Sequence, residues 1–359
     1  MRYLFIVQGE GRGHMTQAIS LRNILVKHGQ EVVHVLVGIS KRREVPKFFF
    51  DKIGAPVEIF ESPNLVTDRR NVKIKIFSTF TNNVVRFCSY LKSLKYIDSV
   101  VKNTKPDVVV NFYELLFGIY FRFYNPNVKH VCIGHHYLLK HPDFVFPLGW
   151  KRDKVLMTIY TNIVSFGASK CLALSFRKMR DLPEKNIVVA PPLLRHEVAQ
   201  LKTSNEGFIL GYMLNAGYAT QIEEWHNNNS QVKVHFFWDK KDAPEHLQVS
   251  PTLAFHSLND VKFLEYMSRC SGYATTGGFE SLCEAMYMGK PMMIVPTEGH
   301  FEQAANAVDC KLAGGGVINS KFDLTVLVEY IPNHKDITAE FRAWADQSES
   351  VFVRELTKF

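Results

Sequence analysis

Residues 275–291 read Thr275-Thr276-Gly277-Gly278-Phe279-Glu280-Ser281-Leu282-Cys283-Glu284-Ala285-Met286-Tyr287-Met288-Gly289-Lys290-Pro291. An apolar strand ends, a glycine pair follows, and a helix opens with a carboxylate inside it. Glycines at a helix start let a ligand approach the backbone N–H groups closely. Those unpaired donors, with the positive end of the helix dipole, favour phosphate. Glu284 lies six residues after Gly278, near the same end, where it could accept hydrogen bonds from two sugar hydroxyls. Diphosphate beside ribose is the shape of a nucleotide-sugar. The alternative is a tight strand-to-helix turn with an exposed glutamate.

The pattern around this stretch repeats. Upstream of it, Phe208 to Leu214, Val232 to Trp238, Leu253 to His256 and Gly272 to Thr275 read as strands, and Met292 to Val295 follows. Helical periodicity fills the gaps, as at Val261 to Ser268. The first half alternates in the same way. Strands are expected at Tyr3 to Gln8, Glu31 to Val37, Val57 to Phe60, Asp107 to Asn111, Lys129 to Ile133, Lys170 to Ala173 and Ile187 to Val189. Helices are expected at Thr16 to Lys27, Phe77 to Asn103 and Lys154 to Phe166. Such alternation implies parallel sheets covered by helices. The proline pair in Ala190-Pro191-Pro192-Leu193-Leu194-Arg195 interrupts it, because proline stops both helix and central strand. The expected organisation is a first domain over 1–190, a linker over 191–206 and a second domain over 207–337. A helical tail over 338–359 would pack back on the first domain. The fold class is α/β: two Rossmann-like, doubly wound parallel-sheet domains facing across a cleft. Ligands of such sheets bind beyond the carboxyl ends of the strands.

A chain of 359 residues can build two such cores. No stretch reads as a transmembrane helix or signal peptide. The six cysteines are scattered without zinc spacing, which fits a reducing cytoplasm. The net charge of +8 concentrates in the first half, at Lys41-Arg42-Arg43, Lys47, Lys52, Arg69-Arg70, Lys73, Lys75 and Lys151-Arg152-Lys154. Phosphate-bearing small molecules, an anionic membrane or a plain solvated face would each account for it. No nucleic-acid recognition module is present, so a nucleic-acid partner is not expected.

A second glycine-rich loop, Gln8-Gly9-Glu10-Gly11-Arg12-Gly13-His14, joins the first strand to the first helix. It is not a dinucleotide fingerprint. Counting G-x-G-x-x-G from Gly9 or Gly11 puts His14 or Thr16 at the third glycine, and no acidic residue ends the second strand. His14 stands where the cleft should be. An imidazole, with an ordinary pKa of about 6.5, suits proton removal near neutral pH. A helix-capping or core histidine is the alternative.

Taken in order, these features resemble the GT-B glycosyltransferases, above all the group of the peptidoglycan N-acetylglucosaminyltransferase and the UDP-glycosyltransferases. The resemblance is strongest from Phe255 to Ala307 and again from Phe5 to Leu25. It rests on the Gly-x-Gly-x-Gly-His loop, on the Thr-Gly-Gly-Phe-Glu-Ser segment with its later glutamate, and on Pro296, Glu302-Gln303 and Asn306-Ala307. It implies an inverting, metal-independent transfer of a hexose from a nucleotide diphosphate sugar, most often a UDP-sugar, to an acceptor hydroxyl. No cofactor is expected beyond that substrate. For the donor it implies Thr276, Gly277, Gly278, Phe279 and Ser281 at the diphosphate, Glu284 at the ribose, and Glu302 and Gln303 at the hexose. Asn215, Ala216 and Gly217 would lie near the donor, and Leu258 near the base. His14 would be the catalytic base, with Gly11, Arg12 and Gly13 beside the acceptor. Some relatives orient that histidine with an aspartate from a later strand end. Here the comparable run is Asn111-Phe112-Tyr113-Glu114, so Glu114 is the candidate partner, a helix-start carboxylate being the alternative.

His135 and His136 follow a strand end and are expected to line the acceptor pocket. The aromatic loop Asp143 to Trp150, next to Lys151-Arg152, suits a membrane interface. A lipid-linked or polysaccharide acceptor of the cell envelope, met at the inner face of the membrane, is one expectation; the alternative is that these aromatics pack under the loop. A non-hydrolysing nucleotide-sugar epimerase and a non-catalytic nucleotide-sugar sensor are the competing readings.

Overall fold

The structure is a computed structural model, and it describes residues 1–41, 43–63, 87–213, 216–240 and 243–358. The strands expected in the first half pair into one seven-stranded sheet in the order β3-β2-β1-β4-β5-β6-β7. These are β1 (Arg2–Gln8), β2 (Glu31–Ile39), β3 (Val57–Glu61), β4 (Val108–Phe112), β5 (Lys129–Gly134), β6 (Lys170–Leu174) and β7 (Ile187–Ala190). All its pairings are parallel. Tyr3 to Val7 are fully buried, as an apolar run in a sheet covered on both faces must be.

The second sheet runs β10-β11-β9-β8-β12-β13-β14. Its strands are β8 (Phe208–Met213), β9 (Lys233–Trp238), β10 (His246–Ser250), β11 (Leu253–Ser257), β12 (Gly272–Thr275), β13 (Met292–Ile294) and β14 (Gly316–Ile318). One strand departs from the parallel pattern. β10 pairs antiparallel with β11, His246 opposite His256. It lies at the sheet edge with most residues exposed, so it carries little of the apolar patterning by which the other strands are read.

The strand order places the ligand sites. In the first sheet the order reverses between β1 and β4, and in the second between β8 and β12. The Gly9–Gly13 loop and the Tyr113-Glu114 turn therefore leave one switch point. The end of β8 at Met213 and the Thr276-Gly277-Gly278 turn lie at the other. Such points form crevices beyond the strand ends.

The two sheets share one continuous apolar core, which runs from Tyr3 and Phe5 to Phe279 and Leu282. The tail is two helices, Thr338–Ala345 and Ser348–Thr357. Trp344 Nε1 donates to the Ser175 carbonyl at 2.9 Å, Tyr3 Oη donates to the Leu356 carbonyl at 2.8 Å, and Lys170 pairs with Glu355 at 2.7 Å. Part of the expected basic surface is likewise used between the sheets. Lys52 reaches Asp260 at 2.7 Å and Arg43 reaches Asp239 at 3.7 Å. Arg42, Arg69, Arg70, Lys73, Lys75 and the start of the helix expected from Phe77 lie outside the described residues; that helix is described as Phe87–Thr104. No described helix is long and apolar enough to cross a membrane.

Candidate functional site

The Phe279–Tyr287 helix starts directly after β12, with Gly278 at its N-cap and no side chain capping it. Its first-turn N–H groups are thus left for a ligand. Gly277 precedes it at φ +97°, a conformation a side chain would strain. The Gly277 carbonyl accepts from Asn306 Nδ2 at 3.0 Å, which holds the turn against the Phe301–Leu312 helix. Gly278 is exposed and Ser281 half-buried, while Thr276 is buried. Ser281 Oγ donates to the Gly278 carbonyl at 3.1 Å.

Phe279 and Glu284 differ from their expected surroundings. The Phe279 ring is buried and stacks on His135, centroids 4.3 Å apart, so its side chain is used in packing and not at the helix start. Glu284 is buried, and Arg195 holds it through two parallel bonds, Nε to Oε1 at 2.5 Å and Nη2 to Oε2 at 2.7 Å. Arg195 also donates to the Asp260 carbonyl at 3.2 Å. Each carboxylate oxygen keeps a second lone pair. Burial disfavours the Arg195 charge, but Glu284, Asp260 and Glu197 outweigh it and leave its pKa raised. Arg195 was legible only as the end of the proline-rich run that opens the linker; nothing in its spacing announces its partner 89 residues on.

Leu258 packs half-buried on the shared core, next to Asn259, which caps the Asp260–Arg269 helix by accepting from Val261 and Lys262 N–H. Ala216 and Gly217 open a short 3-10 turn after β8. Asn215 lies outside the described residues.

His14 falls in the first turn of the Arg12–Lys27 helix, whose N-cap is Gly11. Arg12 lies over the Phe48 ring at 5.6 Å. His14 faces two further rings across the cleft mouth: Tyr113 at 6.0 Å and His136 at 5.8 Å between centroids. Tyr113 and His136 stack at 3.8 Å and 13°. Tyr113 reaches this place from a left-handed backbone, φ +62°, an uncommon conformation for an aromatic residue. From the second sheet, Glu302 reaches His136 Nε2 at 3.3 Å, and His300 caps the helix on which Glu302 sits. Burial pushes the Glu302 carboxyl up, but His136, His300 and His14 outweigh that and hold it well below the usual carboxylate range. Burial, with His136 adding to it, lowers the His14 pKa to about 4. At neutral pH His14 is an uncharged imidazole beside an ionised carboxylate.

Glu114 is placed elsewhere. It caps the Leu115–Tyr124 helix, its Oε1 accepting from Leu116 N–H at 2.9 Å and from Ser62 Oγ at 2.6 Å. Burial pushes its carboxyl up to about 7. The polar partner of His14 is instead Gln17, at 3.2 Å from Nδ1. Asn111 closes the turn after β4. Its Oδ1 accepts from Glu114 N–H at 2.7 Å and its Nδ2 donates to the carbonyls of Glu114 and Val164. Both ends of the amide are used, and a carboxylate has no donor for the second.

His135 is buried, its Nδ1 at 2.8 Å from the Leu174 carbonyl and its Nε2 at 3.7 Å from Asp309. Burial lowers its pKa to about 3. Gln303 is structural in its side chain: Oε1 accepts from Thr297 N–H at 2.8 Å. A cavity of about 10 Å³ lies among His136, Phe144, Met157, Phe301, Glu302 and Asn306. That is room for one water at most, so the sheets must part to admit an acceptor there.

Two facing doubly wound sheets, with an open helix N-terminus at one switch point and a histidine loop at the other, define a GT-B glycosyltransferase. A model of glycosyl transferase family 1 matches residues 1–333. The chain belongs to that family, and it is an enzyme of sugar transfer. The fold is similar to the glycosyltransferase of kitacinnamycin, at 16% identity over 98% of this chain and 95% of that one, TM-score 0.63. It is similar to the spinosyn rhamnosyltransferase SpnG complexed with thymidine diphosphate, at 13% identity over 100% of each chain, TM-score 0.61. It is also similar to Arabidopsis thaliana UGT89C1 complexed with UDP-L-rhamnose, at 15% identity over 99% of this chain and 98% of that one, TM-score 0.62. No curated protein matches the chain.

Proposed function

We propose that the protein transfers a hexose from a UDP-sugar to an acceptor hydroxyl with inversion at the anomeric carbon, without metal or cofactor. The observation that carries this reading is that the histidine loop meets the uncapped start of the Phe279–Tyr287 helix, His14 being joined to Glu280 of that helix through Gln17. The diphosphate would lie on the N–H groups after Gly277 and Gly278, and the ribose hydroxyls would donate to the remaining lone pairs of Glu284. His14 Nε2 takes the acceptor proton as the oxygen bonds to the anomeric carbon. The bond to the diphosphate breaks on the opposite face, and UDP leaves with the electron pair. Glu302 then stabilises the imidazolium. Charge developing on the diphosphate meets fixed backbone dipoles, the role that a magnesium ion fills in enzymes with an Asp-x-Asp motif, which this sequence lacks.

The similarity to proteins complexed with thymidine diphosphate and UDP-L-rhamnose supports a nucleoside diphosphate donor. The test is incubation with a panel of nucleotide-sugars, with and without acceptors, in the presence of a chelator. Acceptor-dependent release of UDP, with a product of inverted anomeric coupling by NMR, is expected. Isomerised donor without transfer would instead mark an epimerase, and binding without turnover a sensor.

We further infer that the acceptor is lipid-linked and met at an anionic membrane. Leu148 is 96% exposed, and Val155, Leu156 and Ile159 are exposed on the Lys151–Val164 helix beside exposed Lys151 and Arg152. Met157 of the same helix lines the cavity with His136 and Glu302. Apolar side chains beside cations suit an anionic interface. Cosedimentation with phosphatidylglycerol vesicles at low salt is expected, weakened by Leu148→Asp. No binding at low salt would leave a polysaccharide as the better acceptor class.

A further inference from the structure

Two buried side chains link the base to the donor-binding helix. Gln17 lies one turn beyond His14 and is 3% exposed. Its Oε1 faces His14 Nδ1 at 3.2 Å, and its Nε2 donates to Glu280 Oε1 at 2.6 Å. Glu280 is 8% exposed and stands in the first turn of the helix that opens after Gly278. The link thus crosses from the first sheet's loop to the second's. Gly13 makes room for it: a Cβ there would come within 3.3 Å of Glu280 Cγ.

The order of donors and acceptors decides a tautomer. The carboxyl oxygen accepts from the NH2 end of Gln17, which turns the amide oxygen toward His14. An amide oxygen only accepts, so with Gln17 in this orientation Nδ1 carries the proton. Nε2 is then left with a lone pair, which is the form a general base requires. A neutral carboxylic acid at Glu280 would still offer an acceptor oxygen to Gln17.

We propose that Gln17 is the positioning residue that fixes His14 in its Nδ1–H tautomer, and that Glu280 holds Gln17 from the opposite lobe. The base is then correctly set only while the donor helix is docked against the histidine loop. This rests on the reading of His14 as the base. It assigns to Gln17 the orienting role that Glu114, engaged with Ser62 and Leu116, does not perform.

The test combines kinetics with 15N NMR of the histidine rings in the full-length protein. In the unsubstituted protein at neutral pH, His14 is expected as the Nδ1–H form. Gln17→Met should lower kcat about 10- to 100-fold, part of the span that a positioned base supplies, with donor KM within about twofold. It should also yield a mixture of tautomers. Glu280→Met should reproduce this, and Glu280→Gln, which keeps an acceptor oxygen, should restore most of kcat. Adding Gln17→Met to His14→Ala should cost nothing more. An Nε2–H tautomer in the unsubstituted protein overturns the proposal, whatever the variants do. So does full kcat in a folded Gln17→Met variant. If His14→Ala is inactive while Gln17→Met is normal, only this proposal fails. If His14→Ala is fully active, the base assignment fails first and takes this one with it.

Discussion

Arg195 and Glu284 form a two-pronged ion pair that ties the start of the linker to the middle of the Phe279–Tyr287 helix, at 2.5 and 2.7 Å. Glu284 is 2% exposed, so its carboxylate takes from Arg195 the hydrogen bonds that water would otherwise supply. The pair fixes the orientation of the carboxylate; on the proposed reading its remaining lone pairs would face the ribose.

Removing the cation should therefore be costly. Arg195→Leu leaves a buried carboxylate uncompensated, and is expected to lose about 3–5 kcal/mol of stability. Denaturant unfolding measures this. The double variant Arg195→Leu/Glu284→Leu should recover much of the loss while donor KM stays high. Full stability of Arg195→Leu alone would show that the pair contributes little.

The acid limb of the rate profile should lie unusually low. His14 serves as a base only when unprotonated, and burial beside His136 lowers its pKa to about 4. Its neutral fraction is complete above that value and is lost as pH falls through it. kcat/KM should thus hold from neutral pH to about 5 and drop below, where an ordinary histidine would already have halved the rate near 6.5. His136→Phe should move the limb upward and Glu302→Gln downward, since the first lowers and the second raises the His14 pKa. A limb at 6.5 in the unsubstituted enzyme, with folding intact by circular dichroism, would contradict the placement of His14.

Two loop glycines should respond differently. Gly277 has φ +97°, and a Cβ there would meet Ile294 Cγ2 at 3.1 Å and the Gln303 carbonyl at 3.2 Å. Gly277→Ala is expected to cost about 1–3 kcal/mol of stability and to weaken UDP binding, read by calorimetry. Gly11 has φ −126° and open space around its Cβ position. Gly11→Ala should leave the melting temperature nearly unchanged.

Asn111→Asp should be harmful although the two side chains have nearly the same shape. Asn111 is fully buried and donates to two carbonyls, at 3.1 and 3.3 Å. A carboxylate would face both with no proton to give. The expected loss is about 1–3 kcal/mol, more if the group stays ionised. A thermal melt equal to that of the unsubstituted protein would rule this out.

The run from Thr275 to Pro291 already determined a strand, a tight turn and a helix open at its start. The apolar strands before and after it determined two parallel sheets, because a strand buried on both faces must be apolar throughout. His14 was readable as a cleft residue from its place after the first strand. β10 was not legible, since an exposed edge strand needs little apolar patterning. The tertiary structure alone decided the partners. Glu284 reads as a ligand for ribose, but only folding brings Arg195 to it across 89 residues. Glu114 reads as the partner of His14, but the turn after β4 directs it to Ser62 and Leu116, and Gln17 takes the place beside the imidazole. Local pattern follows from the short-range geometry of strands and helices. Which charge meets which depends on how two sheets dock, and no spacing along the chain records that.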